Sequence, residues 1–138
     1  MTQDPVGRWL LTVAALVLFA LGVPLLFAAD VVSGWLDVPS PSGEVLAQLA
    51  AGGLLGLGVM NWWSRGQFVG GIYGRPLGLS NLLCFLSAGA SLGRATASGG
   101  LPSGMWGIVL VFTALAVTFA WRVLFFRPQA DARPAPGV

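Results

Sequence analysis

The sequence predicts an all-α protein, a four-transmembrane-helix up-and-down bundle. Three observations carry this. Of 138 residues, 56% are hydrophobic and only 9% charged, too few charges to cover a soluble domain of this size. The apolar residues gather in four stretches, each near the ~20 residues that cross a ~30 Å hydrocarbon layer as an α-helix. Tryptophans stand near the ends of those stretches, where an interfacial belt belongs. One membrane domain is expected over residues 1–127, followed by a tail over 128–138.

The first helix is expected over about residues 8–29, RWLLTVAALVLFALGVPLLFAA. Its apolar run is longer than the usual 7–15 residues of a signal peptide, and Phe27 would occupy the −3 position of the plausible cleavage site at Ala29, so it reads as an uncleaved span. Pro24 removes one helical hydrogen bond and should bend or loosen the last turn. Residues 30–44 then read as a loop carrying Asp30, Asp37 and Glu44, with Trp35 resting at the membrane surface. Ser40 followed by Pro41 suits an N-cap and first helical position.

The second helix, about 42–63, holds Gly52, Gly53, Gly56 and Gly58. Each glycine weakens a soluble helix by roughly 1 kcal/mol relative to alanine. In a membrane such residues let a neighbouring backbone come close, and Gly52 with Gly56 makes a GxxxG pair. The third helix, about 72–93, starts near Leu77 or earlier near Gly70 with Arg75 at headgroup level, and its Gly89 and Gly93 repeat the four-residue spacing. Helices two and three hold most of the small residues and are expected to form the tightest pair. The fourth helix, about 104–126, is rich in Val, Phe and Leu and poor in glycine, which predicts the most lipid-exposed of the four, with Arg122 snorkelling to the headgroups. The tail RPQADARPAPGV, with three prolines and two arginines, cannot bury a core. It is expected to meet a partner's acidic groups through Arg127 and Arg133, so that deleting 128–138 weakens an association.

All seven cations are arginine. With a cytoplasmic N-terminus, Arg8, Arg65, Arg75, Arg122, Arg127 and Arg133 lie inside, and Arg94 alone lies outside with Asp30, Asp37 and Glu44. This positive-inside bias puts both termini in the cytoplasm. Trp9, Trp62, Trp63 and Trp121 then fall at the inner boundary, Trp35 and Trp106 at the outer.

The composition excludes much chemistry. Without histidine there is no imidazole base and no His-built metal or haem site. The lone Cys84 makes no internal disulfide and no thiolate cage, and reads as a small buried hydrophobe. A net charge of +2 is too small for a nucleic-acid footprint. No carboxylate falls at mid-membrane, where a proton- or cation-coupled transporter normally keeps one. No catalytic residue, metal or cofactor is expected.

Polar residues within the spans are Gln48 and Asn61 in the second helix, Ser80, Asn81, Ser87 and Ser91 in the third, and Thr113 and Thr118 in the fourth. The 13 residues from Gln48 to Asn61 cover about 20 Å at 1.5 Å per residue. On antiparallel neighbours, Asn61 and Asn81 share the inner level, and Gln48 and Ser91 the outer. Interhelical hydrogen bonds are the expected use, and a polar cavity roofed by Trp62 and Trp63 is the alternative. The densest polar and aromatic concentration is NWWSRG at 61–66 with YGRP at 73–76. Its Trp62, Trp63, Arg65 and Arg75 are candidates for contact with lipid phosphate or a partner's acidic loop.

The order of these features resembles a broad group of bacterial four-helix membrane proteins similar to the DoxX-like family. Its form is a glycine-rich second helix ending in Asn-Trp before a basic loop, then an Arg followed by an Asn in the third helix; here these are Asn61, Trp62, Arg75 and Asn81. The resemblance spans residues 9–126 and implies a multi-pass protein of the bacterial cytoplasmic (inner) membrane. The expected function is non-enzymatic: an integral subunit or scaffold docked on other membrane protein subunits and on lipid, with no nucleic acid. The alternative is binding or transport of a small apolar or lipid-like molecule. An enzyme ranks third because no nucleophile is paired with a base.

Overall fold

A computed structural model describes residues 4–36, 40–66 and 74–125. The tail at 128–138 and the early start of the third span near Gly70 lie outside these described residues. Four helices are long and apolar enough to cross a membrane. They are α1 (Pro5–Phe27), α3 (Pro41–Ser64), α4 (Gly74–Ala97) and α5 (Trp106–Phe125), with a short α2 (Ala29–Trp35) after α1 and a 3₁₀ turn at Ser103–Met105 before α5. The fold is all-α, and the protein is a multi-pass membrane protein.

Local chemistry sets the helix limits. Asp4 caps α1 by accepting from the Gly7 N–H at 3.0 Å, with Pro5 in the first turn, and Ser40 caps α3 from the Gly43 N–H in the same way. α1 runs through Pro24 and stops at Phe27; Ala28 leaves the helical region and its N–H returns to the Pro24 carbonyl at 2.8 Å. Residues 29–35, expected as loop, form α2, which buries Ala29 and Ser33. Two turns are too short to show a periodicity. α4 continues to Ala97, four residues past the expected end at 93. It closes in a Schellman cap: Gly99 at φ 77° sends its N–H to Thr96 O, and the Gly100 N–H bonds Ala95 O at 2.9 Å.

The helices associate as two hairpins, α1 with α3 and α4 with α5, and α3 meets α4 over a small area only. The expected tight pairing of the second and third helices is therefore corrected. The glycines explain why. A Cβ on Gly22 would stand 2.8 Å from Leu55 Cδ2, and one on Gly58 would stand 2.9 Å from Phe19 Cε1, so each of α1 and α3 offers a notch that a large side chain of the other fills. In the second hairpin a Cβ on Gly89 would meet Phe112 Cβ at 3.3 Å, and one on Gly93 would meet Val109 Cγ1 at 3.5 Å. Gly52 and Gly56, expected in the tight interface, are exposed, and among the described residues nothing lies within 4 Å of where their Cβ atoms would be. Residues 51 and 58 are seven apart and share the buried face; at 100° per residue, 52 and 56 are turned well away from it.

One core joins the hairpins. Leu11, Ala14 and Leu18 of α1 cluster with Phe85 of α4 and with Phe112 and Phe119 of α5. Phe85 stacks on Phe119 with ring centroids 6.0 Å apart and meets Phe112 edge-on at 5.4 Å. The exposure order also differs from expectation. In its most apolar window α5 is 39% buried, the most of the four, whereas α3 is 11% buried, the least. Bulk rather than smoothness marks the inner helix, because Phe112, Leu115 and Phe119 fill the space between the hairpins.

Candidate functional site

The four spans bring Asp4, Asn61, Asn81 and Arg122 to one end of the bundle, where α1 and α4 begin and α3 and α5 stop. Asn61, one turn from the end of α3, and Asn81, two turns into α4, are both fully buried. Each side-chain amide donates its Nδ2–H to the other's Oδ1 at 2.6 Å, and Asn81 Nδ2 also donates to the Leu77 carbonyl at 2.9 Å. This reciprocal pair ties the hairpins where α3 and α4 meet. Asn61→Leu or Asn81→Leu alone should lower stability by about 1–2 kcal/mol, since the surviving amide loses its partner in an apolar setting. The double variant should cost less than the sum, read as the midpoint of a sodium dodecyl sulfate titration in mild detergent. Strict additivity would show that the bond contributes nothing.

A second tie lies at the same end. Arg122, one turn from the end of α5, forms an ion pair with Asp4, the cap of α1, and both side chains are under a tenth exposed (6% and 8%). The expected snorkelling of Arg122 is thus corrected: the side chain turns into the bundle, where a carboxylate is available. Gly7 makes room for it, because a Cβ there would stand 3.0 Å from Arg122 Nη2. The sequence reading missed Asp4, Gly7 and Arg122 as a unit. The Asp-Pro capping signal at 4–5, set at the same depth as an arginine in the last turn of the fourth span, was the clue available.

The other polar residues do not cross between helices. Gln48 and Ser91, expected to meet at the far end, are both exposed, since each hairpin turns these faces outward. Ser80, Ser87, Thr113 and Thr118 donate to carbonyls of their own helices, three or four residues back, at 2.7 to 3.2 Å. A hydroxyl in hydrocarbon satisfied by its own backbone needs no neighbour.

On the surface of the polar end, the Arg65 guanidinium carbon lies 3.9 Å from the centroid of the Trp62 ring, and Trp63 beside it is 85% exposed. Arg75, on α4, is exposed. Arg65 and Arg8 together line an open cleft between the start of α1 and the end of α3. One part, about 310 Å³, is bounded by Asp4, Arg8, Trp63, Arg65 and Gly66. The adjoining part, about 410 Å³, extends past Pro5 and Trp9 to Thr12. Among the described residues, no group of three or more metal-ligating side chains comes together. Compared with models of known protein families, with curated proteins and with solved structures, the chain finds no match.

Proposed function

We propose that this protein is a non-enzymatic integral membrane subunit or scaffold of a larger membrane complex. The outward face of α3 carries the reading. Among the described residues nothing lies within 4 Å of a Cβ position at Gly52, Gly53 or Gly56, although each costs a helix roughly 1 kcal/mol relative to alanine. Among the described residues they serve no packing, and they leave the least buried helix with a smooth face that another transmembrane helix can approach closely. A carrier for an apolar molecule is less favoured, because Phe85, Phe112 and Phe119 occupy the space between the hairpins.

The test is copurification. Gly52→Leu with Gly56→Leu should leave the isolated chain folded, yet abolish recovery of the transmembrane partner that coelutes with the wild type in mild detergent. Unchanged recovery of that partner would sink the reading.

We propose further that the polar end lies on the cytoplasmic side of a bacterial inner membrane; the six arginines on that side against one on the other support the orientation. In a Cys84→Ser background, Gly34→Cys and Ser103→Cys, both at exposed positions of the opposite end, should react with an impermeant thiol reagent added to intact cells. Silence at both, with labelling of Gly66→Cys, would reverse the orientation.

A further inference from the structure

We infer that the cleft between α1 and α3 binds the phosphate-bearing headgroup of an anionic phospholipid through Arg8 and Arg65. Lipid binding in this cleft needs no second protein.

Charge is the first support. Asp4 is the acidic residue of the cleft wall, and its carboxylate is taken up by the buried Arg122. Among the described residues, Arg8 and Arg65 have no carboxylate at ion-pair distance. Among the described residues, two cations therefore face one hollow with no carboxylate paired to either. A guanidinium presents planar paired donors that match phosphate oxygens. Arg65 is already held over Trp62, so less freedom is lost when it takes a ligand.

Depth and shape give the second. Trp9 and Trp63 flank the cleft and are 71% and 85% exposed. Tryptophans so placed at the ends of spans mark the headgroup level. The cleft descends from Gly66, just past the end of α3, to Thr12, about 10 Å along α1 from Pro5. Below Thr12, Val13 and Leu16 are exposed on the same helix at hydrocarbon depth, where acyl chains would lie. Each part of the cleft, at about 310 and 410 Å³, falls at the low end of the ~300–1,000 Å³ usual for small-ligand sites. A soluble phosphate shares the headgroup chemistry but makes no use of this apolar continuation, which favours the lipid.

The full chain, purified in mild detergent, is offered phosphatidylglycerol or phosphatidylcholine at equal mole fraction, and bound lipid is counted by native mass spectrometry. At about 1 kcal/mol for each arginine near the lipid surface, the anionic lipid should be retained roughly 30-fold better. Arg8→Gln with Arg65→Gln should erase that preference. Arg94→Gln removes a charge at the opposite end of the bundle and should preserve it. Equal retention of the two lipids by the wild type overturns the inference without recourse to any variant, and so does an equal loss in the Arg94→Gln control. Displacement of phosphatidylglycerol by millimolar inorganic phosphate would show a soluble-anion site and overturn the lipid as ligand.

Discussion

Asp4→Asn should destabilise the bundle by about 3 kcal/mol or more, since it removes one partner of a buried ion pair and leaves the other charge uncompensated. Asparagine keeps an oxygen to accept the Gly7 N–H, so the cap of α1 survives and the loss reports the charge. Arg122→Met, which keeps the aliphatic stem, should cost a similar amount by stranding the carboxylate. With both substitutions no buried charge remains, and the double variant should be more stable than the sum of the singles implies by about 1–3 kcal/mol. The midpoint of a sodium dodecyl sulfate titration, followed by loss of helicity in mixed micelles, measures all three. Additive singles would mean that the pair is screened at the headgroup level and does not fasten α5 to α1.

That pair also shows where reading the sequence stops. The four spans were legible, with limits within a few residues, because length and apolarity belong to each segment alone. The caps at Asp4 and Ser40 are local in the same sense. Arg122 read as a snorkelling residue because its partner stands 118 residues away, and nothing in the fourth helix announces a carboxylate at the start of the first. The Asn61 and Asn81 levels followed from rise per residue along antiparallel helices, and the two are indeed in hydrogen-bond contact. The same arithmetic placed Gln48 beside Ser91, which point outward. Depth fixes a level in the bundle but not an azimuth. Azimuth depends on which face each helix gives its neighbour, and in α3 four glycines within seven residues point in several directions. The seven-residue spacing of Ala51 and Gly58, a helix-packing period, marked the buried side, whereas the GxxxG pair at Gly52 and Gly56 lies on the open one.

Gly58→Leu should therefore prevent the first hairpin from closing, whereas Gly56→Leu on the same helix should leave the isolated chain as stable as wild type or more stable by up to about 1 kcal/mol. A Cβ at Gly58 would already stand 2.9 Å from Phe19 Cε1 and 3.4 Å from Leu18 Cβ. Leu18 is fully buried in the core and has little room to retreat. The branched carbons beyond Cβ enlarge the clash, so the cost should reach or exceed the roughly 3 kcal/mol at the upper end of ordinary overpacking. Helix propensity runs the other way and favours leucine over glycine by up to about 1 kcal/mol, so a net loss can come only from the interface. Phe19→Ala removes the ring that fills the notch, and Gly58→Leu with Phe19→Ala should recover part of the loss by placing volume back in the same space. Loss of the folded fraction in Gly56→Leu but not in Gly58→Leu would mean that α3 turns its other face to α1, and the buried and open sides of the helix would have to be exchanged.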